Sequence, residues 1–340
     1  MQSQQSHRKD EHVFLAEKYY HADSKAGFDQ VRFIHTALPE MAVADATLKP
    51  DIFDWQWPVY INAMTGGSTQ TGQLNQQLAQ IAHKLGIAIA SGSQSIALKD
   101  PSVVETFTTL RRHNPDGFIL ANLGAGHNWS DAAAAIAMLD ANALEIHLNV
   151  AQELVMPEGD RDFRWLDDLA TIVAKSPIPV IVKEVGFGMS RETLLQLHSI
   201  GVQYVDVAGR GGTNFAQIEN TRRPERDFDY LANWGQTTVE SLLEAHSVPL
   251  TALATGGVHN PLDALTALRL GAAAVGMSGQ VLHWLLQDGV DGAEAALSNF
   301  LNQLQSLMTL VGAKNLSELK TKPITYSPTL QSYMQQRNLR

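Results

Sequence analysis

From residue 58 onward, short apolar runs alternate with amphipathic segments, and the pairing repeats eight times. The runs at residues 59–63, 87–90, 118–121, 143–148, 180–185, 204–207, 250–254 and 273–277 have strand length and strand composition. Helical patterns follow at residues 71–85, after Pro101, from Asp131, around Trp165, Leu166 and Leu169, and at 191–200, 238–245, 261–270 and 281–286. Eight strand-then-helix units are what a TIM (β/α)8 barrel needs, so the fold class is α/β. The competing open doubly wound sheet would carry Gly-x-Gly-x-x-Gly after its first strand, whereas this one ends in Met64-Thr65-Gly66-Gly67. The expected division is an N-terminal extension, residues 1–57, packing on the barrel and closing over its mouth. The barrel follows at 58–315, and a polar C-terminal tail at 316–340 ends in disorder.

A chain of 340 residues, 44% hydrophobic, can bury the core such a barrel requires. Its formal net charge of −10 argues against nucleic acid as a partner, while leaving room for a local basic pocket. With no cysteine there is no disulfide, thiolate nucleophile or Cys-ligated metal. No apolar stretch reaches membrane-spanning length, and the Gln/Ser/His-rich start lacks an apolar signal region, so a cytoplasmic protein without a membrane partner is expected.

Polar residues gather at the C-terminal end of nearly every proposed strand, the rim on which barrels build active sites. They include Asn62, Ala63, Met64 and Thr65, then Ser91-Gly92-Ser93-Gln94, Asn122, Lys183-Glu184, and Gly209-Arg210-Gly211-Gly212-Thr213-Asn214. The run 145–153 is the densest. Strand alternation puts Glu145, His147 and Asn149 on one face if the extended geometry persists that far. Gln152 offers uncharged hydrogen bonding, and Glu153 is a hard oxygen donor suited to Mg²⁺. Gly256, Gly257 and Gly279 after the last two strands suit close approach of backbone N–H groups to a phosphate, although turn glycines would read the same. Lys183 closes an apolar strand and needs a partner: Glu184, Asp206 or an anionic cofactor ring. On a helix, Arg8 and His12 of the cluster Arg8-Lys9-Asp10-Glu11-His12 share a face and could close over a diphosphate; a solvated terminus is the plainer reading. Arg161, in the polar loop 157–163, could reach an anionic ligand.

Together these motifs resemble the type 2, FMN-dependent isopentenyl-diphosphate isomerase family over nearly the whole chain. The match rests on Arg8-Lys9-Asp10-Glu11-His12, Met64-Thr65-Gly66-Gly67, Ser91-Gly92-Ser93-Gln94, His147-Leu148-Asn149 with Gln152-Glu153, the loop 157–163, Val185-Gly186-Phe187-Gly188, and Gly209-Arg210-Gly211-Gly212-Thr213-Asn214-Phe215. The resemblance implies FMN, Mg²⁺ and a reductant such as NADPH, and a homo-oligomer, often a tetramer or larger up to an octamer. It implies interconversion of isopentenyl and dimethylallyl diphosphates without net redox change. By resemblance, Ala63, Met64, Thr65, Ser93, Asn122, Lys183 and Thr213 contact FMN, and Gly256, Gly257, Ser278 and Gly279 hold its phosphate. Arg8, Lys9 and His12 would bind substrate, with Ser93, Gln94, Ser95, Asn149 and Arg161 nearby. Glu153 would carry Mg²⁺, and Gln152 and His147 would line the reacting end as the catalytic candidates. The chain departs from the family pattern at Ser95 and His259, where arginine is common, and at Gln236, in a segment that lacks the usual proline.

Moving an alkene double bond requires adding a proton at one carbon and removing one nearby. The mouth offers His147, Glu145, Glu184 and Asp206 as acids. The expected acid–base catalyst is reduced FMN, oriented by the protein. One rival is an FMN-dependent oxidoreductase of a small hydroxy acid, which would need a base histidine with a neighbouring arginine on late strands. After strand seven there is only His259. A non-catalytic flavin-binding barrel is the other rival.

Overall fold

The computed structural model describes residues 4–23 and 25–339. Its eight barrel strands are β1 (Val59–Ile61), β2 (Ala88–Ala90), β3 (Ile119–Gly124), β4 (Ala143–His147), β5 (Val180–Lys183), β6 (Tyr204–Asp206), β7 (Thr251–Leu253) and β8 (Val275–Met277). Each is parallel to the next, and β8 returns to β1 with Val59 opposite Val275 and Ile61 opposite Met277. The seam between β7 and β8 is closed by a bridge from Ala254 to Val275 and by the Gly276 amide donating to the Ala254 carbonyl. The eight-unit reading therefore holds, with strand ends within a few residues of those expected from the runs.

The strands are apolar on both faces because both are covered. One set of side chains packs outward against the helices, and another fills the barrel. The lower end is stoppered by Ile52, Phe53 and Trp55. The Phe53 ring lies 5.4 Å from that of Phe118, and the Trp55 ring 5.2 Å from that of Tyr60. Only the upper mouth remains open. Around it, helices begin at polar caps. Ser68 forms a reciprocal capping box with Thr71, Asn128 accepts from the Asp131 amide, and Asn260 accepts from the amides of Leu262 and Asp263.

The chain outside the barrel is more ordered than its polarity suggests. The N-terminal helix, Gln4–Lys18, lies against the mouth. The C-terminal tail, expected to end in disorder, is folded instead. Its strand Ile324–Tyr326 pairs antiparallel with Val31–Phe33, and its helix Pro328–Gln336 packs on the barrel. There Tyr333 and Arg337 both donate to the buried Glu244 carboxylate, at 2.8 and 2.7 Å. The carboxylate anchor leaves no periodic signal, and it works together with Leu330, Met334 and Leu339, which pack into the core. The final barrel helix also runs well past the expected residue 286, over Gly279–Leu310, with a break at Gly289. Among the described residues no helix is long and apolar enough to cross a membrane.

Inside the barrel, just under the mouth, Asp206 ties three strands together. Its oxygens accept from Tyr60 (3.1 Å), Asn62 (2.7 Å), the Ala208 amide (3.2 Å), and both the amide (3.0 Å) and hydroxyl (2.9 Å) of Thr255. It is wholly buried. As an acid candidate it is therefore corrected: it is a structural acceptor whose lone pairs are already engaged. Asp206→Ala should destabilise the fold by about 3 kcal/mol or more, since each buried donor left unpaired costs ~1–3 kcal/mol. A urea midpoint within experimental error of the parent would contradict this.

Candidate active site

A cavity of about 770 Å³ occupies the barrel mouth beneath the N-terminal helix. Thr65, Lys183 and Gly256, from three different strand ends, all line it. So does every residue named from the sequence as a cofactor, metal or catalytic candidate, from Ala63 to Gly279.

The lid side is built on one carboxylate. Glu219, on the helix Phe215–Arg222, is fully buried. Its Oε1 accepts from His12 Nε2 at 2.9 Å and from Gln152 Nε2 at 3.0 Å, and its Oε2 from Arg222 at 2.6 Å. Burial alone would raise the carboxyl pKa, but the bonds from His12, Gln152 and Arg222 outweigh it and hold the value at about 2. Arg222 also reaches Glu11 (2.9 Å) and Glu158 (2.9 Å), so helix, barrel and loop meet at one guanidinium. Burial pulls His12 below its ordinary pKa. Burial also lowers Lys9, followed by the neighbouring Arg8 charge, to about 8. Arg8 contacts Met156 and Glu158. Glu219 and Arg222 were not singled out from sequence; their i,i+3 spacing was the available signal, but it is common on helix surfaces.

At the floor, His147 Nδ1 lies 2.9 Å from Asn122 Oδ1, while Asn122 Nδ2 donates to Glu145 at 2.9 Å. The amide orientation makes Nδ1 the protonated ring nitrogen and leaves Nε2 as an acceptor beside Gly124. Burial first, then the charges of Lys183 and Lys9, lower His147 to about 3. It is a neutral imidazole in the physiological range, so it is not a ready proton donor. Glu145 lies below it, and burial raises its carboxyl to about 7. Strand geometry ends at His147. Asn149 turns out of the strand's alternation and donates to Glu153 at 2.8 Å, with Gln152 and Glu153 on the short helix Val150–Val155. Lys183 Nζ donates to the Glu184 carbonyl at 2.9 Å, and no salt bridge joins it to Glu184 or Asp206 among the described residues. Glu184 does not line the cavity, and burial raises its carboxyl to about 7 in spite of the amide bonds it accepts. Its Oε2 accepts from the amides of Val185, Gly186 and Phe187 and shapes its own loop.

Opposite the lid, backbones crowd together. A Cβ on Gly256 would meet the Gly209 carbonyl oxygen at 2.1 Å, and one on Gly212 would meet the Gly257 amide at 2.7 Å. Gly256 and Gly257 both have positive φ, of 95° and 71°. Glycine is required here sterically and not merely tolerated. Ser278 precedes the helix Gly279–Leu310 without capping it through its side chain, so the helix start faces the cavity. Thr65 Oγ1 and Arg210 Nε are buried without a hydrogen-bond partner, and both residues line the cavity. Unpartnered buried donors beside a glycine cradle and a helix N-terminus fit a phosphate-bearing cofactor.

Two expected substrate contacts lie elsewhere. Gln94 is fully buried behind the wall. Its amide donates to the Ala135 carbonyl, and its oxygen accepts from the Asn122 amide, so it braces β3. The Arg161 guanidinium is wrapped in the carbonyls of Glu153, Met156, Gly159 and Asp160 and fastens the loop without lining the cavity. Of the departures from the family pattern, His259 Nδ1 pairs with Gln280 at 3.1 Å, and the Gln236 carbonyl accepts from the Arg210 amide.

The sequence model of the FMN-dependent dehydrogenase family matches residues 105–326. The isopentenyl-diphosphate delta-isomerase of Lacticaseibacillus paracasei is 64% identical, covering 99% of this chain and 98% of its own. That of Staphylococcus aureus is 47% identical, covering 99% and 97%. The chain belongs to the FMN-dependent isopentenyl-diphosphate delta-isomerase family. Among solved structures, flavocytochrome b2 superposes with a TM-score of 0.69 at 18% identity, over 94% of this chain and 80% of that one. A mandelate oxidase does so at 0.62 and 15%, over 93% and 91%. These two share the fold of this isomerase-family chain.

Because the Glu219 carboxyl sits below its ordinary value of 4.5, the docking it supports is complete above that pH and is lost as pH falls through about 2. Glu219→Ala should speed amide exchange across the N-terminal helix at least a hundredfold, from the ~3–5 kcal/mol lost when one partner of a buried pair is removed. Unchanged protection by hydrogen-exchange mass spectrometry would show the helix to be held by other contacts.

Proposed function

We propose that the chain interconverts isopentenyl diphosphate and dimethylallyl diphosphate, with FMN in the barrel mouth and Mg²⁺ on the diphosphate. The observation that carries this reading is the division of one cavity. A glycine cradle suits one phosphate group, and Arg8 and Lys9 on a separate element suit another. Between them stand uncharged groups, the neutral His147 and the amide of Gln152. That arrangement suits a ligand with an anionic end and an apolar reacting end.

Thr65, Asn122 and Thr213 would hold the flavin, with Lys183 supplying a cation against it and the glycines receiving its phosphate. When bound and reduced, FMN supplies an electron-rich, protonatable ring. Because isomerisation is redox-neutral, a reductant such as NADPH would be needed only in catalytic amount. His147 Nε2, an acceptor, orients what lies beside it and supplies no proton. Gln152, fixed by Glu219, presents its amide to the reacting end. Glu153 accepts from Asn149 (2.8 Å) and the Asp160 amide (2.7 Å). Among the described residues no group of three or more His, Cys, Asp or Glu side chains is disposed around a metal. A Mg²⁺ at Glu153 would thus complete its shell with diphosphate oxygens and water, the usual pattern for this ion.

The test is anaerobic incubation of the purified protein with isopentenyl diphosphate, Mg²⁺ and a trace of reductant, followed by NMR. Dimethylallyl diphosphate should form in large excess over reductant. Oxidation of a hydroxy acid with stoichiometric electron transfer would replace this reading with the oxidoreductase one, and a protein isolated without flavin absorbance would remove FMN. Gln152→Ala should lower kcat a hundredfold or more with flavin content intact; loss of FMN from that variant would contradict its assignment to substrate. For Lys9, the cation is present below about pH 8 and lost above it. The parent kcat/KM should therefore fall above that pH, and Lys9→Arg, with a permanent charge, should flatten the alkaline limb. An identical limb in both proteins would assign it to another group.

A further inference from the structure

One carboxylate inside the barrel has only one of its two oxygens engaged. Glu145 is fully buried and lies beneath the cavity without lining it. Parallel pairing sets it level with Asn122 of β3 and Ile181 of β5, and sets His147 level with Lys183. Side chains paired across parallel strands point to the same side, so Asn122, Glu145, His147 and Lys183 share the barrel's inner face with Ile181. Glu145 Oε2 accepts from Asn122 Nδ2 at 2.9 Å, whereas Oε1 is buried without a hydrogen-bond partner. The roles assigned so far make no use of this carboxyl.

The titratable groups that face it come from four strands. Burial raises the Tyr60 hydroxyl of β1 well above its ordinary value, so it is neutral, as is the His147 imidazole of β4. Asp206 of β6 is a second carboxylate, and Lys183 of β5 is the cation, at the edge of the cavity. Burial raises Glu145 to about 7 in spite of Lys183, with Asp206 pushing in the same direction. Lys183 thus offers one charge to a carboxylate below it and to whatever ligand lies above it. When that ligand becomes anionic, one of the two anions must be discharged. Glu145 has a free oxygen to receive a proton. It keeps its Asn122 bond in either form, because Oε2 accepts whether or not Oε1 is protonated.

We propose that Glu145 takes up one proton when a flavin above Lys183 is reduced and releases it on reoxidation, leaving the Lys183 charge to the anionic ring. A nicotinamide reductant delivers both electrons and one hydrogen to the ring as hydride, so the proton on Oε1 comes from solvent. Each reduction then consumes one hydride and one proton. Glu145 touches neither ring nor substrate and is a positioning residue that acts through Lys183. The inference rests on FMN in the barrel mouth and not on the isomerase reading.

The experiment is an anaerobic potentiometric titration of the FMN-loaded protein at a series of pH values above about 7, where the oxidised protein holds Glu145 ionised. A pH unit is a tenfold change in proton concentration, and each proton coupled to a two-electron couple shifts the midpoint by ~30 mV per unit. With one proton on the ring and one on Glu145, the parent midpoint should fall by ~59 mV per unit, and that of Glu145→Gln by ~30 mV. Lys9 titrates in the same range, so the difference between the two slopes is the readout. A merely structural carboxyl would displace the midpoint and leave its slope alone. A second measurement needs no variant: the reduced-minus-oxidised infrared spectrum of the parent should gain a protonated-carboxyl band that shifts in D2O. Equal slopes with flavin bound, or no such band, would overturn the proposal alone. A protein that binds no flavin would overturn it together with the FMN reading. A parent with the steeper slope that isomerises nothing keeps the proton site, and the isomerase reading falls.

Discussion

The buried Glu219 carboxylate is the contact on which the mouth depends. Barrel strands alone would present an open bowl, and the residues that close it lie two hundred positions away in the chain. Glu219 gathers them: His12 from the lid helix, Gln152 from the segment after β4, and Arg222 from its own helix, which extends to Glu11 and Glu158. A charge this deeply buried is tolerated only with donors on both oxygens, and removing any one partner leaves the others unbalanced. The oxygen that takes the His12 bond also takes the Gln152 amide, so docking of the N-terminal helix and orientation of that amide share one acceptor.

Polarity is layered down the barrel axis. The aromatic stopper of Phe53, Trp55 and Phe118 closes the base, Asp206 and its five donors form a satisfied polar tier above it, and the cavity opens above that. Acidic side chains near the mouth are thereby divided by use. Asp206 is saturated with donors, Glu184 spends one oxygen on three loop amides, and burial raises both Glu184 and Glu145 to about 7. The cavity floor is left with amides, hydroxyls, Lys183 and a neutral imidazole, while Arg8, Lys9 and Glu153 line its sides.

Much of this was legible in the sequence because it follows from period and from steric necessity. The eight alternating units gave the barrel. The glycines after β7 gave the cradle, since any side chain there would strike the backbone of a neighbouring loop. Arg8, Lys9 and His12 could be placed on one helix, and the helix does lie over the mouth. What was hidden depends on direction. Gln94 and Arg161 have suitable chemistry in suitable places, but one side chain turns behind the wall and the other back into its own loop. Asn149 was aligned with His147 by strand alternation, and the strand stops before reaching it. Glu219 and Arg222 offer only a common i,i+3 spacing, because their further partners are remote in sequence. The folded C-terminal tail was missed for the same reason.

That tail has a consequence for the order in which the molecule can be completed. The strand Val31–Phe33 leads from the lid helix toward the barrel, and its partner is Ile324–Tyr326. On the ribosome, nearly the entire chain must be polymerised before this pairing exists. Segments at the beginning therefore wait, exposed, while the cylinder between them assembles. Until then the segment between the N-terminal helix and the barrel has no sheet partner, so its anchoring depends on residues nearly three hundred positions further along.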